Sequence, residues 1–187
     1  MFQLIAFYPS LAYNLVRNYL QPKKWSWYNR IDDVVILGGL PFQSTAKQLL
    51  KENVGGVVCC TEDYELRAAF NAMKPADWLN LSVAVHQVPM KDFTGAAPIN
   101  DINMAVAFIK GIGKSGKSVY VHCKAGRTRS ALIVMCYLMQ KNNWMANVAF
   151  DYVKMHRPQA IMRTNQWRTV NEYRLFLDGT SNSFLSK

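Results

Sequence analysis

Val119-Tyr120-Val121-His122-Cys123-Lys124-Ala125-Gly126-Arg127-Thr128-Arg129-Ser130 is the stretch on which the reading of this chain turns. Its first three residues are β-branched or aromatic and predict a short buried strand. From Ser130 to Gln140 the chain is apolar nearly all round, which predicts a helix buried at the centre of a core. Between strand and helix lies a short loop containing Gly126, a residue that can adopt a backbone angle forbidden to other side chains. Five residues between Cys123 and Arg129 are enough to curl backbone N–H groups around a tetrahedral dianion. The loop opens onto a helix N-terminus, whose dipole adds to the attraction.

Working outward, the same alternation continues. Val34 to Leu37, closed by Gly38-Gly39, reads as a strand, as do Val54 to Cys60 and Leu81 to Val88. Ser44 can cap a short helix running through Asn53. Asn100 begins a helix with Ile102, Ala105, Val106, Ile109 and Ile112 on one face, ended by Gly113 and Gly116. Helices near 145–156 and 164–177 follow, separated by Pro158. Strands alternating with helices predict an α/β fold, one mostly parallel sheet flanked by helices. No internal repeat is present.

The loop has its own chemistry. The field that binds an anion also lowers the pKa of Cys123 and makes a thiolate available near neutrality. A thiolate there can attack phosphorus and form a phosphocysteine. Arg129 offers a planar fork to two phosphate oxygens and can hold them through the transition state. Ser130 can donate to the sulfur and make it a better leaving group. Lys124, Ala125, Gly126, Arg127 and Thr128 form the phosphate-binding wall, and His122 fixes the loop by hydrogen bonds. Cleavage of a phosphate ester also needs a proton for the leaving oxygen. Asp92, in the loop Pro89-Met90-Lys91-Asp92-Phe93-Thr94-Gly95, follows a predicted strand and is the candidate acid.

Composition agrees with an anionic target. The 187 residues carry 22 Lys+Arg against 12 Asp+Glu, a formal charge of +10, which predicts nucleic acid, a membrane surface or a phosphate-bearing substrate. Residues 102–150 contain seven basic side chains and no acid, and residues 1–31 contain Arg17, Lys23, Lys24 and Arg30 and no acid. The positives converge on one loop and one arm without interleaved stacking aromatics, so nucleic acid ranks last. Four cysteines without a CxxC, and three scattered histidines, offer neither a disulfide framework nor zinc-ligand spacing. No metal or cofactor is called for. The aromatic arm 1–30 reads as a membrane-associating or targeting segment ahead of a domain at 31–187. A helix docked on the domain's own core fits it equally well.

The His-Cys-x5-Arg-Ser run of His122, Cys123, Arg129 and Ser130, with Asp92 upstream, resembles the dual-specificity branch of the cysteine-dependent protein tyrosine phosphatases. Within it the chain is similar to the mitochondrial phosphatidylglycerophosphate phosphatases. That similarity rests on Phe7-Tyr8-Pro9 with Tyr13, Trp27 to Asp32, Leu37-Gly38-Gly39-Leu40-Pro41, Asn53 to Val57, Glu62-Asp63-Tyr64-Glu65 and Asp92-Phe93-Thr94-Gly95. Asp63 stands where those enzymes have Glu, and Thr128 where they usually have Ser. The resemblance implies removal of the terminal phosphate of phosphatidylglycerophosphate, for cardiolipin synthesis, at the matrix side of the inner mitochondrial membrane. It also puts Glu62, Tyr64 and Glu65 near the loop as its supports; read alone, these acids could simply start a helix. Lys124 and Arg127 add charge beyond the single Arg that a phosphotyrosine needs, which suits an anionic phospholipid, phosphoinositides included. A dual-specificity protein phosphatase is the alternative of the same chemistry. A silent phosphate-binding adaptor would have lost Cys123 or Arg129, and both are present.

Overall fold

The computed structural model describes residues 2–185, with side chains over 7–179. In chain order the elements are α1 (Phe2–Leu20), β1 (Tyr28–Arg30), β2 (Val35–Gly38), α2 (Gln43–Lys51), β3 (Val54–Cys59), α3 (Asp63–Ala68), α4 (Pro75–Asn80), β4 (Ala84–Gln87), α5 (Ile99–Lys114), β5 (Ser118–His122), α6 (Arg129–Asn142), α7 (Ala146–His156) and α8 (Thr164–Leu185). The sheet order is β1-β2-β5-β3-β4. β2, β5, β3 and β4 run parallel, and β1 pairs antiparallel at the edge.

Strand periodicity explains the layers. Successive side chains point to opposite faces. Val35, Leu37, Val58, Val119 and Val121 therefore meet α5, α6, α7 and α8 in the larger core. Ile36, Val57 and Tyr120, one residue out of step, pack with Leu49 of α2 and Trp78 of α4 on the other face. Both faces being covered, the strands read as apolar runs rather than as alternation. Every residue of α6 from Arg129 to Met139 is buried. At about 1.5–3 kcal/mol per large apolar side chain, its Leu132, Ile133, Met135, Leu138 and Met139 make it a principal stabilising element.

Four elements differ from expectation. β1 is three residues long, too short to show a period, and α4 was not foreseen. β4 starts at Ala84 rather than Leu81, because Leu81 caps the preceding helix and Ser82 takes a left-handed backbone angle, φ 58°. The start of α2 is also unlike the expected Ser44 cap. Phe42 stands at the cap position, with no side-chain hydrogen bond.

α1 is docked on the rest of the chain. Phe7 and Leu11 are buried against Leu40, Cys59, Leu66, Ala69 and Ala72. The Tyr8 hydroxyl donates to the Ala68 carbonyl at 3.3 Å, and Asn18 Nδ2 donates to the Trp25 carbonyl at 2.8 Å. Tyr8, Leu15, Val16, Tyr19 and Leu20 of the same helix remain largely exposed. Among the described residues, no helix is long and apolar enough to cross a membrane.

Candidate active site

The loop between β5 and α6 sits at the carboxyl edge of the central strand, where parallel sheets commonly bind ligands. Gly126 has φ +64°, and a Cβ there would collide with the Gly38 backbone and stand 2.7 Å from Arg157 Nη2. Only glycine satisfies both the angle and the close approach.

Cys123 is 3% exposed. Its Sγ accepts from the Gly126 N–H at 3.2 Å and from Ser130 Oγ at 3.2 Å. Burial alone pushes a thiol pKa upward. Here the positive charge of Arg129 and hydrogen bonds from Ser130 and the Arg127 N–H outweigh it and bring the pKa down to about 7. A large thiolate fraction is thus available at neutral pH.

Arg129 is held before any substrate arrives. Its Nη1 donates to Glu65 Oε2 at 2.6 Å and to the Met90 carbonyl at 3.0 Å, and its Nη2 donates to Glu65 Oε1 at 3.0 Å. Glu65 is fully buried. A buried pair is tolerated when its remaining valences are met, and Glu65 Oε2 also accepts the Glu62 N–H at 3.0 Å, closing a capping box at the start of α3. Helix-starting acid and partner of a loop cation are therefore the same side chain. Glu62 supplies the other half of that box. Tyr64 meets Phe7 edge to ring at 6.5 Å, and burial with the nearby carboxylates pushes its pKa up to about 12.

Asp92 faces Arg129 Nη2 at 3.0 Å and pairs with Lys124 Nζ. Lys124 is itself buried. Its ammonium also donates to Ser10 Oγ at 2.6 Å and lies between the rings of Phe7, at 5.3 Å, and Phe93, at 5.0 Å. Arg127 lies over Trp25 at 5.2 Å and donates through Nε to the Gln159 carbonyl at 3.0 Å. A cavity of about 240 Å³ is lined by Cys123, Lys124, Ala125, Arg127, Thr128 and Arg129, by Asp92, and by Ser10, Tyr13 and Asn14 of α1. Glu62, Tyr64, Glu65, His122 and Gly126 are not among the residues lining that cavity. The His122 ring stacks on Tyr120 at 5.6 Å, and its Nδ1 is buried without a hydrogen-bond partner, so the ring is held there by packing rather than by the expected hydrogen bonds to the loop. Burial lowers its pKa to about 4, and it is neutral at pH 7.

Sequence reasoning missed Arg157. It is fully buried and makes five hydrogen bonds. Two go to the loop carbonyls of Gly126, at 2.6 Å, and Ala125, at 3.2 Å; the others reach Ser26 O, Trp27 O and Asn29 Oδ1. Drawing those carbonyls outward leaves the Gly126 N–H turned toward Cys123. A lone Arg before Pro158 carries no local signal of this, since its acceptors are backbone groups far away in sequence. Ser10, Tyr13 and Asn14 were missed for a similar reason.

A thiolate under an anion nest, a forked guanidinium and a facing carboxyl group form the apparatus of phosphate-ester transfer. Residues 49–175 match the family described as dual specificity phosphatase, catalytic domain. The chain belongs to that family. Its curated relatives include Phosphatidylglycerophosphate phosphatase PTPMT2 of Arabidopsis thaliana, 38% identical over 90% of this chain and 72% of the relative. Phosphatidylglycerophosphatase and protein-tyrosine phosphatase 1 of Rattus norvegicus is 37% identical over 90% of this chain and 88% of the relative. The crystal structure of PTPMT1 in complex with PI(5)P is similar in fold, with TM-score 0.79 and 32% identity over 83% of this chain and 99% of that one.

Proposed function

We propose that this protein hydrolyses the terminal phosphate of phosphatidylglycerophosphate to give phosphatidylglycerol. The observation that carries the proposal is the crowding of cations around one thiol. Lys124, Arg127, Arg129 and Arg163 line the same cavity as Cys123. A phosphotyrosine offers one dianion; this lipid offers a second phosphate, which additional cations can meet. The names of the relatives support the same substrate.

In the first step the Cys123 thiolate attacks phosphorus and a phosphorus–sulfur bond forms. The bond to the glycerol oxygen breaks, and Asp92 gives that oxygen its proton. Arg129, held by Glu65, carries the charge on the phosphoryl oxygens. The incoming dianion competes with Asp92 for Arg129 and Lys124, and release from them lets the carboxyl group turn to the leaving oxygen. In the second step Asp92 accepts a proton from water, which attacks phosphorus. The Cys123 thiolate departs with Ser130 donating to it, and phosphate leaves. Lys124 through Thr128 bind the phosphate, while His122, Glu62, Tyr64 and Glu65 support the loop.

The proposal extends to a membrane surface. The exposed Tyr8, Leu15, Val16, Tyr19 and Leu20 of α1 precede Lys23 and Lys24, the composition of a helix lying at an anionic interface. On the strength of the sequence resemblance, that surface is the matrix side of the inner mitochondrial membrane; protease protection in mitoplasts tests it. The substrate itself is tested with purified protein on phosphatidylglycerophosphate in vesicles, a phosphoinositide and a phosphotyrosyl peptide. A higher kcat/KM on phosphatidylglycerophosphate is expected. Preference for the peptide would sink the lipid assignment, and preference for the phosphoinositide would replace it.

A further inference from the structure

α1 does more than cover the core. Ser10, Tyr13 and Asn14 form one wall of the cavity whose other wall is the Cys123 loop. All three lie outside residues 49–175, the part matched by the family description. Asn14 is 5% exposed. Its Nδ2 donates to the Ser10 carbonyl at 2.6 Å, whereas its Oδ1 is buried without a hydrogen-bond partner. Buried polar atoms without partners are rare and call for an explanation.

The commitment of the amide nitrogen fixes what Asn14 presents. With Nδ2 tied to the helix backbone, only an acceptor is left over. An acceptor has no use for a phosphate oxygen, which accepts as well; it needs a donor. A phosphate ester of a polyol brings such a donor, the hydroxyl on the carbon next to the esterified one. Phosphatidylglycerophosphate has such a hydroxyl on the central carbon of the glycerol that joins its two phosphates. A phosphotyrosyl side chain has none at that position.

We propose that Asn14 Oδ1 accepts a hydrogen bond from this substrate hydroxyl, so that α1 is a specificity element of the active site. The inference rests on the reading of the site as a phosphatidylglycerophosphate phosphatase. Lys124 ties the two walls together, reaching Ser10 of α1 from the loop. Arg127 and Arg163 line the same cavity, each set against an aromatic ring, Trp25 and Phe93.

The test compares phosphatidylglycerophosphate with an analogue whose joining glycerol is replaced by 1,3-propanediol, which lacks only that hydroxyl. Both are presented in mixed micelles, and the ratio of their kcat/KM values is read for the wild type and for Asn14→Leu, which keeps the branching and heavy-atom count of the side chain and removes the acceptor. Both substrates are read on one preparation, so any loss of folded enzyme cancels from the ratio. The wild type should favour the hydroxyl-bearing lipid by on the order of tenfold or more, because a site built to pair a hydroxyl discriminates against its absence. Asn14→Leu should bring the ratio close to one, mainly by raising KM for the hydroxyl-bearing lipid. A wild-type ratio near one, or an unchanged ratio in Asn14→Leu, would overturn the inference while leaving the lipid reading standing. A wild type that hydrolyses neither lipid but cleaves a phosphotyrosyl peptide would bring down the lipid reading itself, and this inference with it.

Discussion

Cys123 and Cys136 are both buried, one at the end of β5 and the other in the middle of α6, and both belong to the same core cluster. Burial acts on each in the same sense, disfavouring the thiolate. For Cys136 nothing opposes it, and the pKa is pushed up. For Cys123 the Arg129 guanidinium, Ser130 and the loop N–H groups reverse the sign and leave it at about 7. Depth therefore does not decide reactivity here. The difference is made by what the loop aims at the sulfur.

The largest expected effect is on turnover when each cysteine is replaced in turn. Cys123→Ser should lower kcat by on the order of 10⁴-fold or more, as loss of a nucleophile does, while lipid binding persists. Cys136→Ser should leave kcat within about twofold and cost about 1–3 kcal/mol of stability, the range for a buried polar group imperfectly paired; urea denaturation reads it. Equal losses of kcat in the two variants would erase the comparison.

Next in size is the charge that separates the two sites. Arg129→Ala should reduce kcat by about 10²–10³-fold, typical for removal of one transition-state donor. It should also destabilise by about 3–5 kcal/mol, because Glu65 is left buried and uncompensated. Arg157→Met should cost less in rate, roughly tenfold in kcat/KM, by letting the Ala125 and Gly126 carbonyls relax. Because Arg157 acts through the loop rather than on the substrate, KM and kcat should both move.

The smallest effect is on titration. Alkylation by iodoacetamide requires thiolate, so its rate at Cys123 should rise about tenfold per pH unit below a midpoint near 7 and level off above it. Cys136 should stay unreacted across that range in the folded protein. Ser130→Ala removes a hydrogen bond to Sγ and should move the Cys123 midpoint upward. An unmoved midpoint would take Ser130 out of the set of groups that tune the thiol.

The two halves of the site differ in how far the sequence disclosed them. The Cys123 loop was legible because an anion nest demands particular residue types at contiguous positions, between a strand and a buried helix. The order of strands and helices around it was legible for the same reason, since fully buried parallel strands read as apolar runs. Glu65 came into view only through resemblance, because its partner Arg129 lies in another element. Arg157 and Asn14 were not legible. Arg157 works on backbone carbonyls, and Asn14 matters through an atom left unpaired, so neither leaves a pattern in the chain. β1 was too short to show a period. The arm 1–30 gave two readings because α1 is apolar on two faces: one carries Phe7 and Leu11 into the core, and the other leaves Tyr19 and Leu20 outside.

The central claim is that the loop-activated sulfur, and not merely a phosphate pocket, does the chemistry on the lipid. Rapid acid quench of the enzyme with phosphatidylglycerophosphate bearing a labelled terminal phosphate tests it directly, with peptide mapping of the label. The account predicts transient label on Cys123, absent in Cys123→Ser, and formed and decaying at rates compatible with kcat. Lipid hydrolysis that proceeds at full rate with no label on Cys123, or with label on another residue, would contradict it.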